Sequence, residues 1–140
     1  MLPRIVVMVC LLTTHPAAFG AIVQWSAQAG EIRDLLAVNG TIAYAATFGG
    51  GLFKSGDGGL SWARATALPA RYVRRLAGNA NVLYAATTAG LFKSGDGGVT
   101  WSQRLFDPVA VVALNPFDAN QVLAGVDGAG LYRSTDGAAT

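Results

Sequence analysis

Short apolar segments alternate with glycine-rich turns along most of this chain. They fall into successive units in which a first strand is followed by a second strand. The predicted first strands are residues 32–35, 73–76 and 111–114, and the predicted second strands are residues 44–47, 84–87 and 123–126. After residue 20, no stretch shows sustained helical periodicity. The pattern predicts an all-β protein built from short strands.

The pair Asn39-Gly40 separates the first two predicted strands. An Asn-Gly pair at such a place is typical of a tight hairpin whose turn residues adopt positive φ. We therefore expect positive φ at this turn.

A repeated segment follows each second strand and supplies the third and fourth strands of a unit. The first copy, Gly-Leu-Phe-Lys-Ser-Gly-Asp-Gly-Gly-Leu-Ser-Trp, ends at Trp62, and a nearly identical copy ends at Trp101. A third copy, Gly-Leu-Tyr-Arg-Ser-Thr-Asp-Gly-Ala-Ala-Thr, runs to residue 140. The serines of the three copies lie 39 and 40 residues apart. This period matches one four-stranded β-propeller blade.

The spacing Ser-x-Asp-x-Gly-x-x-Trp resembles the Asp-box, or BNR repeat. This repeat occurs in sialidases, sortilin-type receptors, xyloglucan-cleaving glycosidases and the photosystem II assembly-factor family. The matching residues are Ser55, Asp57, Gly59, Trp62, Ser94, Asp96, Gly98, Trp101, Ser134 and Asp136. The third copy departs from the motif at Ala138, where glycine is expected. The resemblance covers roughly residues 30–140.

The Asp-box residues have a structural explanation that requires no catalysis. The Asp carboxylate can accept backbone N–H bonds inside the turn between the third and fourth strands. The glycines permit positive φ, and the Trp ring packs against the blade. We therefore expect these residues to stabilise the fold.

The repeats divide the chain into units. Blades are predicted at residues 30–68, 69–107 and 108–140, the last of them truncated. The segment Trp25-Ser26-Ala27-Gln28 resembles Trp101-Ser102-Gln103-Arg104, so residues 21–29 are predicted to form the fourth strand of a closing or preceding blade. Closed propellers typically have 4–8 blades. We therefore expect a partial propeller from a longer protein, or an oligomer that completes the ring if the chain is complete.

The first twenty residues have the pattern of a signal peptide. Arg4 is followed by an apolar run at residues 5–12, and small residues allow cleavage after Gly20. A buried strand of the first blade is the alternative. The run is too short to span a bilayer, so we expect a secreted or periplasmic protein with no stable membrane span after cleavage. Cys10 is the only cysteine, so the mature chain would contain no disulfide.

Composition and charge limit the partners and the catalytic groups that can be expected for this chain. The chain is 52% hydrophobic and 13% charged and has 18 glycines, which suits an all-β protein with many turns. A net charge of +2 gives no reason to expect nucleic acid as a partner. The only histidine, His15, lies in the predicted signal peptide, which excludes histidine-based catalysis from the mature chain. No cofactor and no metal site are expected.

Three charged residues remain as candidates for a functional site. Asp127 lies in a setting similar to Asp-x-x-Gly-x-Tyr-Arg, which contains a catalytic Asp in xyloglucan-cleaving enzymes. It is a weak catalytic candidate, because no second acid shares such a setting and Asp before Gly is also ordinary turn chemistry. Arg33 and Arg74 occupy the same place in successive first strands, which line the channel of a propeller. They are either a channel-rim anion site or solvated surface residues.

The sequence thus favours an exported, non-catalytic β-propeller that acts as a scaffold or as a protein- or ligand-binding module. Its partner would be a protein or a glycan. The alternative is a fragment of a secreted carbohydrate-active enzyme of the xyloglucanase or sialidase type.

Overall fold

The computed structural model describes residues 11–12, 23–24 and 30–139 of the chain. No helix long and apolar enough to cross a membrane occurs in this part of the chain. Strands β1 (Leu11–Leu12) and β2 (Val23–Gln24) pair with each other as a small antiparallel sheet. Most of the predicted signal peptide (residues 1–20) and of the predicted fourth strand (residues 21–29) lies outside the described residues, so both stay predictions.

Three antiparallel sheets follow, and in each sheet the strands pair in chain order. Blade 1 contains β3 (Gly30–Ala37), β4 (Ala43–Gly49), β5 (Gly51–Ser55) and β6 (Ala63–Arg64). Blade 2 contains β7 (Val73–Gly78), β8 (Leu83–Thr87), β9 (Gly90–Ser94) and β10 (Ser102–Leu105). Blade 3 contains β11 (Val109–Asn115), β12 (Asp118–Val126) and β13 (Gly130–Ser134). Among the described residues, therefore, two blades have four strands and the third has three.

Blade 3 aligns with the other blades differently from the sequence-based prediction. Val109 pairs with Val126, at the position where Val73 pairs with Thr87 in blade 2. Val109 is therefore the residue of blade 3 that corresponds to Val73 in blade 2. The equivalent segment thus begins two residues earlier than the predicted segment 111–114. A shift of two residues preserves the alternation of side chains between the two faces of a strand, so the hydrophobic pattern cannot detect it.

The turn between β3 and β4 also differs from the prediction, because neither Asn39 nor Gly40 has positive φ. The Asn39 side chain closes this turn instead. Its Oδ1 accepts hydrogen bonds from the backbone N–H groups of Thr41 at 2.9 Å and Ile42 at 2.7 Å. Asn79 makes the equivalent pair of bonds in blade 2. A side-chain turn of this kind needs no left-handed backbone, so the expectation of positive φ is wrong.

Two apolar clusters lie between the blades. The first interblade cluster joins blades 1 and 2, and its buried members include Tyr44, Leu52, Leu83 and Phe92. The second interblade cluster joins blades 2 and 3, and its buried members include Tyr84, Leu91, Val122 and Ala124. Successive side chains of a strand point to opposite faces, so the central strands β8 and β9 of blade 2 supply both clusters. Burial of a large apolar side chain stabilises by about 1.5–3 kcal/mol, so contact between blades stabilises each of them.

A repeated polar contact fixes the spacing of neighbouring blades. The Tyr44 hydroxyl donates a hydrogen bond to the Gly97 carbonyl of blade 2 at 2.8 Å, and the Tyr84 hydroxyl donates to the Gly137 carbonyl of blade 3 at 2.8 Å. Lys93 Nζ also donates to the Gly137 carbonyl. Burial raises the pKa of the Tyr84 phenol, which keeps this donor protonated.

The contact predicts that Tyr84→Phe, which removes the buried hydroxyl and keeps the ring, lowers the free energy of unfolding by a measurable amount. The Gly137 carbonyl retains its lysine donor, so the expected cost is that of one hydrogen bond, about 0.5–1.5 kcal/mol. Denaturant unfolding checks it. Tyr72→Phe is the matched control, because Tyr72 is exposed, and should change stability by less than about 0.5 kcal/mol. Equal effects of the two substitutions would contradict this role for the Tyr84 hydroxyl.

Candidate functional site

The first strand of every blade carries an irregularity at the same place. In β3 the pairing with β4 passes from Ile32 to Asp34 and leaves Arg33 as the extra residue. The equivalent extra residues are Arg74 in β7 and Ala110 in β11. Such bulges re-aim a side chain relative to a regular strand. The repeated bulge therefore directs one side chain from each blade toward the same region.

These three bulge residues line one pocket together with Phe48 and Arg75. We call it the arginine pocket, and its volume is about 380 Å³. It brings together Arg33 and Arg74, the two candidates from the sequence. The sequence did not single out Arg75 or Phe48. The Arg74-Arg75 pair was a visible signal for the first, but nothing in the repeat marks the second.

Each guanidinium group in the pocket has a different partner. Arg33 forms an ion pair with Glu31 at 2.9 Å and lies 4.9 Å from the centre of the Phe48 ring. Arg75 donates to the backbone carbonyl of Arg33 at 2.8 Å, which ties blade 2 to blade 1. The Arg75 guanidinium also donates to the Arg74 carbonyl, and among the described residues no carboxylate forms an ion pair with it.

Asp127, the weak catalytic candidate, lies at this pocket as the partner of Arg74. Its Oδ2 accepts a hydrogen bond from Arg74 Nη1 at 2.6 Å, across the boundary between blades 2 and 3. An ion-paired carboxylate acts as an acceptor, whereas a general acid must present a proton to the leaving group. Within the described ranges, no cluster of His, Cys, Asp or Glu side chains could hold a metal ion.

A second acid near the pocket has a structural role. Asp34 is half-buried in β3, and its Oδ2 accepts the backbone N–H of Leu76 in blade 2 at 2.8 Å. Its Oδ1 accepts the N–H of Leu35 at 3.0 Å. The bond to Leu76 connects the first strands of neighbouring blades and holds the arginine-bearing strands in place, whereas the bond to Leu35 lies within β3 and orients the carboxylate.

Two aromatic rings form one wall beside the arginines. Phe48 and Tyr72 have ring centroids 4.9 Å apart and are tilted by 57°. Phe48 is 37% exposed and Tyr72 is 47% exposed. The site thus offers guanidinium donors next to an accessible apolar surface, which suits a ligand with both an anionic and an apolar part.

The serine and aspartate residues of the repeat lie elsewhere, in the turns between third and fourth strands. We call each of them a Ser-x-Asp turn. In the first, the buried Ser55 hydroxyl donates to Asp57 Oδ1 at 2.8 Å and accepts the N–H of Gly59 at 2.8 Å. Asp57 Oδ1 also accepts the N–H of Ser61 at 2.8 Å, and the indole of Trp62 donates to the Gly59 carbonyl.

The other two Ser-x-Asp turns repeat these bonds in part or in full. The second makes all of them with Ser94, Asp96, Gly98, Thr100 and Trp101. In the third, Ser134 donates to Asp136 and accepts the N–H of Ala138. Ala138 adopts a φ of 53°, the left-handed conformation that glycine takes at the equivalent Gly98.

The hydrogen bonds in the turns hold two aspartates in the ionised form. Bonds from the side chain and backbone of Ser61, with a further bond from Ser55, lower the pKa of Asp57 from 3.8 to about 2. The same bonds from Thr100 and Ser94 lower the pKa of Asp96 to about 2. Donors aimed at a carboxylate favour its charged form, so these aspartates are acceptors within the fold.

No family model matches the sequence, and no curated protein matches it either. Solved structures do match. An ancestral GH74 enzyme aligns with a TM-score of 0.69 at 24% identity over 79% of this chain. The structure of YCF48 bound to D1 peptide aligns with a TM-score of 0.64 at 17% identity over 80% of this chain. The GH74 xyloglucanase from Xanthomonas campestris aligns with a TM-score of 0.60 at 23% identity over 71% of this chain.

These similarities, together with the three successive antiparallel sheets, confirm that the chain has the fold of part of a β-propeller. At such identities they show the fold alone. The chain spans 18% of the ancestral GH74 enzyme, 40% of YCF48 and 18% of the Xanthomonas xyloglucanase.

The turn aspartates predict a specific acid dependence of stability. Their folded pKa of about 2 lies below the ordinary value of 3.8. Their contribution is therefore fully present above about pH 4 and is lost as the pH falls toward 2. Thermal melts of the wild type and of Asp96→Asn should differ most at neutral pH and converge between pH 4 and 2. Asp107→Asn, an exposed aspartate outside these turns, is the control and should follow the wild type. A constant difference between wild type and Asp96→Asn across this range would contradict the assignment.

Proposed function

We propose that this chain is part of an exported, non-catalytic β-propeller that binds a protein partner through an anionic segment at the arginine pocket. The observation that carries the proposal is the convergence of three guanidinium groups, from Arg33, Arg74 and Arg75, on one open pocket. Guanidinium groups recognise carboxylates and phosphates through charge-assisted hydrogen bonds. The Ser-x-Asp turns belong to the Asp-box type under this proposal and stabilise the blades.

The charges around the pocket favour exchange of one anion for another. Glu31 and Asp127 are the carboxylates that form ion pairs there, and their side chains are 65% and 45% exposed. Exposed ion pairs of this kind contribute only about 0–1 kcal/mol. A ligand carboxylate can therefore displace either of them at little cost, while Arg75 supplies a further positive charge.

The neighbouring structures support a binding role by analogy. YCF48 is bound to a peptide in one of the aligned structures. The aromatic wall formed by Phe48 and Tyr72 gives this chain a surface on which an apolar residue next to the anionic group would pack. Export, for which the first twenty residues have the expected sequence pattern, would place the partner outside the cytoplasm.

The proposal predicts that removal of an arginine in the pocket weakens binding of a fluorescein-labelled hexaglutamate peptide. Because each charge-assisted hydrogen bond contributes about 1.5–3 kcal/mol, Arg33→Ala and Arg74→Ala should each raise the dissociation constant by at least about tenfold. Asp127→Asn should lower it, because the substitution releases Arg74 from its internal partner. Fluorescence anisotropy titrations measure all three.

Arg71→Ala is the matched control, because it removes the same charge from an exposed residue that does not line the pocket. It should change the affinity by less than about twofold. If all the arginine substitutions weakened peptide binding equally, the effect would come from net charge alone and the proposal would be wrong.

A second candidate function is that the chain belongs to a glycoside hydrolase, which the alignment with GH74 enzymes favours. Such an enzyme needs two carboxyl groups roughly 5–10 Å apart across its cleft. Asp127 is engaged with Arg74, so we expect this chain alone to hydrolyse neither xyloglucan nor aryl glycosides. Turnover that the wild type shows and Asp127→Asn lacks would establish the enzymatic alternative.

A further inference from the structure

An exposed aromatic residue and a carboxylate follow each other in the connection between blades 2 and 3. Phe106 and Asp107 lie between β10 and β11, and Phe106 is 78% exposed. We call these two residues the Phe-Asp segment. Among the described residues, no cation forms an ion pair with the Asp107 carboxylate. An anionic group next to an apolar side chain is the chemistry that suits the arginine pocket, so the chain carries a segment of this kind on its own surface.

The Phe-Asp segment lies at the same end of the blades as the arginine pocket. The Pro108 carbonyl accepts the N–H of Asp127 at 2.9 Å, and Asp127 is the partner of Arg74 in the pocket. Two residues after Pro108, Ala110 lines the pocket. The three residue steps from Asp107 to Ala110 span at most about 11 Å. The segment therefore stands beside the pocket, and the same end of the chain presents both.

The exposure of Phe106 is a property of its position in the blade. Leu105 and Ala65 are equivalent, because each faces the second residue of the third strand of its own blade. Thr66 is therefore equivalent to Phe106, and it is exposed although the blade that follows it has four strands. Phe106 is exposed although blade 1, which precedes its own blade, has four strands as well. A complete neighbour on either side thus leaves this position uncovered.

The arginine pocket contains a cation that matches the Asp107 carboxylate. Arg33 and Arg74 have carboxylate partners, whereas Arg75 has none among the described residues. Within one chain, Asp107 forms no ion pair with any arginine of the pocket. A second copy of the chain that brings its Asp107 to Arg75 breaks no existing ion pair, and it places the Phe106 ring near the aromatic wall of the pocket. Complementary charges and apolar surfaces favour such a contact.

We propose that the arginine pocket binds the Phe-Asp segment of a second copy of this chain. Because the segment and the pocket lie at the same end, the contact is reciprocal, and two copies form a dimer with a two-fold axis. Asp107 of each copy accepts hydrogen bonds from Arg75 of the other, and Phe106 packs against the aromatic wall of the other copy. This inference rests on the proposed function, because it names the protein partner of the same pocket.

The first arm of the test removes the aromatic side chain. Sedimentation of the full chain at increasing concentration should show a monomer and a dimer with a dissociation constant on the order of 0.1 mM, as for a small interface. Phe106→Ala should raise this constant at least about tenfold, because aromatic anchors carry most of the binding energy. Phe117→Ala is the matched control. Phe117 is 95% exposed in the turn between β11 and β12, at the other end of the blade. Equal effects of the two substitutions would overturn the proposal.

The second arm exchanges the charges of the contact. Asp107→Arg and Arg75→Asp each place like charges opposite each other, so each variant alone should be monomeric. An equimolar mixture of the two variants should form a dimer again. In the mixed dimer the two substituted positions face each other with opposite charges, and so do the two unsubstituted positions. A mixture that stays monomeric while the wild type dimerises would overturn the proposal.

Wild-type protein decides the question if Arg75→Asp does not fold, because this substitution also removes the bond to the Arg33 carbonyl. Isotope-labelled and unlabelled copies are mixed at a concentration at which the dimer forms. Intermolecular NOEs should connect the Phe106 ring of one copy to the rings of Phe48 and Tyr72 of the other. An associated protein without these NOEs would overturn the proposal.

Addition of the hexaglutamate peptide separates this inference from the proposed function. A saturating amount of the peptide should dissociate the dimer, because the peptide and the Phe-Asp segment occupy the same pocket. If the peptide binds at the arginine pocket and the chain is monomeric at every concentration, the dimer is wrong and the proposed function stands. If the peptide does not bind while the mixture of charge variants dimerises, the dimer stands and the binding of other anionic segments is wrong.

Discussion

Each blade must bury the apolar side chains on both faces of its sheet, and the rest of the structure depends on this constraint. A single antiparallel sheet cannot bury its apolar side chains alone, and here the neighbouring blade supplies the cover. Tyr44 and Tyr84 are the centre of this arrangement, because each ring is buried between two blades and each hydroxyl reaches a turn of the next blade. In blade 3 the equivalent residue is Leu123, which is 41% exposed and has no hydroxyl.

The same stacking of blades creates the arginine pocket. The first strand of every blade has its bulge at the same place, so the stacking of the blades alone places Arg33 beside Arg74. No contact with a ligand is needed for this arrangement. The Asp34 carboxylate then fixes the two strands relative to each other. Charge is thus concentrated by the repeat itself, and a single substitution at the bulge changes the charge of the pocket, as Ala110 in blade 3 illustrates.

The sequence predicted the fold well because the repeat period and the turn residues are both local signals. The all-β class and the order of strands followed from them. The pairing of Arg74 with Asp127 could not be predicted, because it joins residues that are 53 positions apart and depends on the angle between two blades. The alignment of blade 3 was misplaced because a two-residue shift leaves its hydrophobic pattern unchanged. The Asn39 turn was misread because its side chain replaced the left-handed backbone that Asn-Gly pairs usually adopt.

The arginine pocket is the central claim, and NMR of the arginine side chains tests it most directly. The Nε–Hε resonances of Arg33, Arg74 and Arg75 are followed during addition of the hexaglutamate peptide to the wild-type chain. The account predicts that these three resonances shift together with one dissociation constant, while those of Arg104 and Arg133 stay in place. Shifts confined to Arg104 and Arg133, or spread evenly over all the arginines, would contradict it.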